Sequence, residues 1–121
     1  MRVGIVGAGI AGLAAARELR ASGAEVVVFD KAKAVGGRCA TRRIDGFTFD
    51  VGATSIAPRG KSLEQAMLHE LDSTDLVKIA LPIFVHESLR VSSGDSGKNR
   101  IERYAYRTGN RRLAELLATD V

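Results

Sequence analysis

The sequence predicts an α/β fold, and two N-terminal segments carry that prediction. A short apolar run from Val3 to Val6 ends at a glycine-spaced turn, GAGIAG over residues 7–12, which opens into a helix predicted over residues 10–21. A second apolar run, Glu25 to Phe29, ends in Asp30. Strand, glycine turn, helix, strand and a terminal acidic residue form the pattern of a Rossmann-like dinucleotide-binding unit.

Each residue type in this turn has a physical reason. Gly7 permits the tight turn, Gly9 lets a pyrophosphate approach the backbone, and Gly12 lets the helix pack closely on the strand. The helix begins at Ile10 and Ala11, where unpaired N–H groups and a partial positive charge attract phosphates. The alternative is an ordinary glycine-rich turn with no ligand.

The acidic end of the second strand completes the predicted site. The carboxylate of Asp30 can accept hydrogen bonds from both hydroxyls of an adenosine ribose, and Lys31 follows it directly. A carboxylate at this position repels a 2′-phosphate, which disfavours NADP unless Lys31 or Arg42 compensates.

Composition limits the classes of function. With 121 residues, 45% hydrophobic and 26% charged, the chain is long enough for a globular domain with its own core. The formal net charge of +4 is dispersed and aromatic residues are few, which favours a surface around an anionic cofactor over a nucleic-acid groove. One cysteine excludes an internal disulfide, and no apolar stretch has membrane-spanning length, so we predict a cytoplasmic protein without membrane or nucleic-acid partners.

Two further glycine-containing segments are candidate cofactor contacts. Gly36-Gly37-Arg38 stands where a regular crossover helix is expected, and it offers open backbone and a guanidinium to a pyrophosphate. The alternative is a surface loop with a helix cap. After a hairpin predicted over residues 43–50, with Asp45-Gly46 at its turn, small residues at Gly52-Ala53-Thr54 leave room for a flat ring. The alternative there is a buried turn.

The remaining sequence predicts shorter helices and strands. The patterns predict a helix over residues 61–72, β-like runs over 76–80 and 83–86, a polar loop over 92–99, a strand over 101–106 and a helix over 111–118. We divide the chain into a Rossmann-like portion, 1–75, and the start of a β-rich substrate domain with a connecting helix, 76–121. Because only the first strands of a three-layer, doubly wound fold are present, we expect an incomplete domain, the N-terminal portion of a longer protein.

Other chemistry is not indicated. His69 and His86 have no nearby carboxylate or cysteine at metal-ligand spacing, so no metal site is predicted. There is no nucleophile elbow and no phosphate-binding G-x-x-x-x-G-K-[ST] loop. No catalytic residue is identified from the sequence.

The motifs together resemble those of the flavin-containing amine oxidase superfamily, which includes phytoene desaturases and renalase-like oxidoreductases. The resemblance lies in the GAGIAG turn, Asp30, Gly36-Gly37-Arg38 with Thr41, and the run from Phe49 to Ala53. Residues 29–43 look most like bacterial renalase-like members. Asp30 stands where many relatives have Glu, and Ala34 where many have Arg.

The resemblance implies FAD as the cofactor of an oxidoreductase that takes a hydride from an amine-like or other small organic substrate. It places Gly7, Gly9 and Gly12 against the pyrophosphate and Asp30 on the adenosine ribose. It also places Gly37 and Arg38 along the pyrophosphate and ribityl chain, and Gly52, Ala53 and Thr54 beside the isoalloxazine. The family's C-terminal segment, which completes the flavin site, lies outside this sequence, so we do not expect turnover by these residues alone.

Two alternatives remain open at this point. One is a fragment of an NAD-binding dehydrogenase, against which the Gly36-Gly37-Arg38 segment argues. The other is a non-catalytic cofactor-binding subunit that requires a partner chain. The expected partners are a small-molecule substrate and either the remainder of the same protein or a second subunit.

Overall fold

The computed structural model describes residues 1–94, 96–119 and 121. The strands are β1 (Arg2–Val6), β2 (Glu25–Phe29), β3 (Thr41–Ile44), β4 (Phe47–Asp50), β5 (Leu76–Lys78), β6 (Phe84–Glu87), β7 (Arg90–Ser93) and β8 (Tyr104–Tyr106). The helices are α1 (Ile10–Ala21), α2 (Lys61–Gln65), α3 (Ser96–Asn99) and α4 (Arg111–Leu117). A 3-10 turn occupies Gly37–Cys39, and a π-helical turn, Ala66–Glu70, continues α2.

The N-terminal βαβ unit confirms the first prediction. Strands β1 and β2 pair in parallel, with Val3 opposite Val26 and Ile5 opposite Val28. Helix α1 crosses between them over the predicted residues and buries Leu13 on the core side. A parallel pair requires such a crossover, and the alternating small and apolar residues of α1 allow it to lie close to the strands. The fold is a small α/β arrangement of Rossmann-like type.

The predicted hairpin is also confirmed. Strands β3 and β4 pair antiparallel, and Asp45 and Gly46 at their turn both have positive φ, 50° and 82°. That conformation is the one a two-residue hairpin turn favours, since its twist matches the twist of the strands. The apolar side chains of Phe47 and Phe49 are exposed rather than buried.

The second half of the chain differs from the prediction in detail. The helix predicted over residues 61–72 forms, but its second half is a π-helical turn. The predicted loop over 92–99 contains the end of β7 and helix α3, with Asp95 outside the described residues, and the strand predicted over 101–106 begins only at Tyr104. Strand β7 was missed because its turn is formed by Ser88 and Leu89, at φ 48° and 66°, and neither residue type favours a positive φ.

The core lies between α1, α4 and strand β8. Buried members of the cluster are Ala8, Leu13, Ile56, Met67, Tyr104, Tyr106, Leu113, Ala114 and Leu117. Strand β5 pairs with β8, and Ile56 forms a further two-hydrogen-bond bridge with Tyr104. The core therefore joins segments from the first and last thirds of the chain. The division into 1–75 and 76–121 stays a prediction.

Among the described residues, no helix combines the length and apolar character needed to cross a bilayer. The cytoplasmic location stays a prediction.

The two core tyrosines give a test of this packing. Tyr106 is 3% exposed and its hydroxyl has no hydrogen-bond partner among the described residues, whereas the Tyr104 hydroxyl donates to Glu102 at 2.7 Å. A buried hydroxyl without a partner costs free energy, and burial raises the pKa of Tyr106 to about 12. We expect Tyr106→Phe to raise the free energy of unfolding by about 1 kcal/mol in thermal or urea melts at neutral pH.

Tyr104→Phe is the matched control and should lower stability, because it removes a hydroxyl that has a partner. A destabilised Y106F would contradict a buried Tyr106 hydroxyl that lacks a hydrogen-bond partner among the described residues.

Candidate dinucleotide-binding site

The first glycine turn has the geometry that the spacing predicts. Gly7 has φ 108°, and its N–H donates to the carbonyl of Phe29 at 2.7 Å, which ties the turn to the end of β2. At Gly12 a Cβ would lie 2.0 Å from the Gly7 carbonyl oxygen, so only glycine allows this approach of helix to strand. At Gly9 a Cβ would meet no atom of the described residues within 4 Å. The space beside Gly9 is therefore open, at the N-terminus of a 12-residue helix.

The second glycine turn lies directly against the first. The Gly36 N–H donates to the Ala8 carbonyl at 2.9 Å, and Gly9 and Gly36 form a parallel bridge. A Cβ on Gly37 would be 3.3 Å from the Cα of Gly9. Gly36 and Gly37 both have positive φ, 124° and 54°. The structure thus brings together two turns that are separated by more than twenty residues in the sequence.

Asp30 joins the first turn to the segment that follows β2. One carboxylate oxygen accepts the Ala8 N–H at 2.6 Å and the other accepts the Ala32 N–H at 2.7 Å. These two bonds, that of Ala32 foremost, hold the pKa of Asp30 below its ordinary value, with a smaller contribution from the charge of Lys31. The carboxylate is exposed and ionised at neutral pH, and each oxygen keeps a lone pair for a further donor.

A pocket of about 340 Å³ opens beside Asp30. Its lining comes from the first turn, the end of β2, the segment after Asp30 and the end of the described chain: Ala8, Leu13, Val28, Asp30, Ala32, Lys33, Ala34, Val35, Ala118 and Val121. Most of the lining side chains are apolar, and Asp30 and Lys33 add one carboxylate and one amine. This composition suits a flat heteroaromatic group whose attached sugar faces Asp30.

The segment after β4 is attached to the second turn. The Ala53 N–H donates to the Arg38 carbonyl at 2.8 Å, and a Cβ on Gly52 would lie 2.0 Å from that same oxygen. The Arg38 side chain is exposed. Thr54, further along, lines a separate open cleft of about 490 Å³ with Ser55, residues 79–83, Asn99, Ile101 and Arg103.

The residues near the start of α1 and after β2 that were predicted to contact the cofactor differ in their exposure. Ala11 and Lys31 are exposed, whereas the Ile10 side chain packs against the buried core cluster. Any contact of Ile10 with a cofactor therefore involves its backbone rather than its side chain.

A buried polar network that the sequence analysis missed supports this segment. Asn110 is fully buried; its N–H donates to the Asp50 carboxylate at 2.8 Å and its side-chain amide donates to the Ala53 carbonyl at 2.9 Å. The Thr41 hydroxyl donates to the same Asp50 oxygen at 2.6 Å and accepts the Arg111 N–H at 3.0 Å. A turn asparagine after Gly109 gives no local sign of these distant partners.

The candidate residues form one continuous series of contacts. The Asp30 pocket adjoins the first turn, the first turn touches the second, and the second holds the Gly52–Thr54 segment, which borders the cleft. This order suits an extended ligand with a sugar at one end, phosphates at its centre and a ring at the other end. In the part of the chain that the structure describes, no group of three or more His, Cys, Asp or Glu side chains is placed to hold a metal ion.

Comparison with curated relatives agrees with the prediction of a phytoene desaturase-like protein. The 4,4'-diapophytoene desaturase (4,4'-diaponeurosporene-forming) of Staphylococcus haemolyticus is 50% identical over 56 residues, which is 46% of this chain and 11% of the relative. The enzyme of the same name from Staphylococcus aureus (strain Newman) is 46% identical over 56 residues, again 46% of this chain and 11% of the relative. The match therefore spans about one ninth of the length of these relatives. The closer likeness to renalase-like members stays a prediction.

The family model described as the NAD(P)-binding Rossmann-like domain matches residues 5–71, which is more than half of the chain and includes both glycine turns and Asp30. With the βαβ unit, the joined glycine turns and the acidic end of β2 all in place, the chain belongs to the NAD(P)-binding Rossmann-like domain family.

Proposed function

We propose that the chain is the N-terminal, FAD-binding part of a flavin-dependent oxidoreductase. The observation that carries the proposal is the junction of the two glycine turns, where Gly36 pairs with Ala8 and Gly9. An NAD site of the Rossmann type needs only the first turn and Asp30. A second backbone turn pressed against the first supports a longer ligand that continues toward the Gly52–Thr54 segment.

The residues present fit FAD at three places. The open space beside Gly9 admits the pyrophosphate, where the amides at the start of α1 favour negative charge, and Arg38, which follows Gly37 in the second turn, supplies an exposed guanidinium. The remaining lone pairs of Asp30 accept the adenosine ribose hydroxyls, and the apolar pocket beside it takes the adenine. The Gly52–Thr54 segment and its adjacent cleft receive the ring system.

The reaction class follows from the cofactor and the relatives. Bound FAD would supply the redox chemistry, accepting a hydride from an organic substrate. The relatives are named as desaturases, which supports a substrate that loses hydrogen from carbon. The resemblance to amine oxidases supports an amine-like substrate as the other candidate. The chain's own residues bind and orient the cofactor. An NAD-binding fragment and a non-catalytic subunit that requires a partner chain are the competing functions.

FAD uptake tests the proposal directly. We expect the purified chain, incubated with FAD and then desalted, to keep a flavin absorbance spectrum, while incubation with NAD leaves no bound nucleotide. A chain that retains NAD and excludes FAD would establish the dehydrogenase alternative. Another outcome is that the chain retains FAD while no amine or polyene reduces the bound flavin, even when the remaining residues of the protein are present. That result would favour the non-catalytic subunit.

Two alanine substitutions in the first turn separate folding from cofactor binding. Gly9→Ala meets no atom and has an ordinary φ of −79°, so we expect its free energy of unfolding to change by less than about 1 kcal/mol. Its added methyl occupies the phosphate space, so FAD affinity should fall at least about tenfold.

Gly12→Ala is the contrasting variant. Its Cβ collides with the Gly7 carbonyl, so it should destabilise the unliganded protein by about 3 kcal/mol in denaturant melts. Equal FAD affinity in the wild type and G9A would contradict a phosphate site beside Gly9.

The role of Asp30 predicts an acid-dependent loss of stability. The folded-state pKa of Asp30 lies below its ordinary value of 3.8, so its contribution is fully present above that value and is lost as the pH falls through the lowered pKa. We therefore expect Asp30→Asn to melt at a lower temperature than the wild type at neutral pH, with a difference that shrinks below about pH 4. FAD affinity should also fall, because the amide offers fewer acceptors to the ribose.

Asp45→Asn, in the exposed turn between β3 and β4, controls for the loss of one negative charge. A D30N protein whose melting temperature follows that of the wild type at every pH would show that the bonds from Ala8 and Ala32 do not stabilise the fold.

A further inference from the structure

We propose that Asn110 is a positioning residue for the flavin-facing segment Gly52–Thr54, a role that rests on the proposed function. Asn110 lies far from this segment in the sequence and is fully buried at the start of α4. Its Nδ2 donates to the Ala53 carbonyl at 2.9 Å, and its Oδ1 accepts the Tyr106 N–H at 3.1 Å. One short side chain thus bonds two backbone groups that are separated by more than fifty residues.

The peptide groups of Ala53 are held from both sides. The N–H bonds to the Arg38 carbonyl in the second glycine turn, and the carbonyl bonds to Asn110. Gly52 is packed so closely on Arg38 that a Cβ there would lie 2.0 Å from its carbonyl oxygen. The segment therefore cannot move away from the second turn without also leaving Asn110, so the amide of Asn110 fixes its position.

Asn110 is itself held by the β3–β4 hairpin. Its N–H and the Thr41 hydroxyl both donate to the same carboxylate oxygen of Asp50. Gly109, at φ 102°, passes so close to Thr41 that a Cβ would lie 2.3 Å from the threonine methyl carbon. The hairpin and the start of α4 therefore form one rigid support behind the segment that faces the ring.

The chemistry of the side chain explains why asparagine serves here. The site needs one donor and one acceptor on a short side chain without net charge, beside the Asp50 carboxylate. Aspartate has the same shape and keeps the acceptor, but it presents oxygen to the Ala53 carbonyl oxygen. The Ala53 carbonyl then loses its donor in a buried position, and the segment moves to find another.

The test compares FAD binding and the bound-flavin spectrum in three variants of the chain. Asn110→Asp should weaken FAD binding about tenfold and shift the visible bands of the flavin that remains bound. Asn110→Ser, whose hydroxyl both donates and accepts, should retain more affinity than N110D. Met67→Ala opens a cavity in the core without touching the network, so it should lower the melting temperature while leaving the spectrum and FAD affinity unchanged.

Each result decides between the proposals. If the wild type takes up no FAD, the proposed function falls and the positioning role falls with it. If the wild type binds FAD and N110D binds it equally well with an unshifted spectrum, only the positioning role is overturned. If both Asn110 variants fail to fold, or if M67A loses as much FAD affinity as N110D for the same loss of stability, Asn110 is a general structural residue and the inference is wrong.

Discussion

The candidate site depends on one close contact between two stretches of backbone. Gly36 hydrogen-bonds to Ala8, and a Cβ on Gly37 would lie only 3.3 Å from the Cα of Gly9, so a side chain at Gly37 would crowd this contact. The contact sets the distance between the two turns, and the Asp30 carboxylate reinforces it by holding the amide of Ala8. The backbone groups of the helix N-terminus and the second turn are therefore in place before any ligand binds, so a ligand that fits between them would lose little free energy to ordering of the protein.

Elements whose determinants are local were predictable. Helix α1 needs only the glycine turn before it and Ser22-Gly23 after it, and the β3–β4 hairpin needs only Asp45 and Gly46 to adopt positive φ between alternating residues. The same holds for the glycine turns, because a close approach of two backbone segments and a positive φ both favour glycine. For this reason the residues of the two glycine turns could be named from sequence.

Features that depend on distant partners were not predictable. Asn110 bonds to residues 60 and 57 positions away, and nothing within its own turn distinguishes it from an exposed asparagine. The turn of β6–β7 places Leu89 at positive φ, against its residue preference, so no local rule finds β7. Asp30 was correctly identified as an acidic strand end, yet its bond to Ala8 also makes it part of the fold, a second role that spacing alone does not show.

The packing of α1 against α4 has a consequence for the order in which the chain is made. Leu13 on the first helix meets its buried neighbours around Leu113 only after about a hundred further residues have been synthesised. Until then the βαβ unit exposes its apolar helix face, while the hairpins β3–β4 and β6–β7, built from local contacts, are free to close early. On the ribosome, the first helix of the candidate site is therefore synthesised early but is among the last elements to complete its packing.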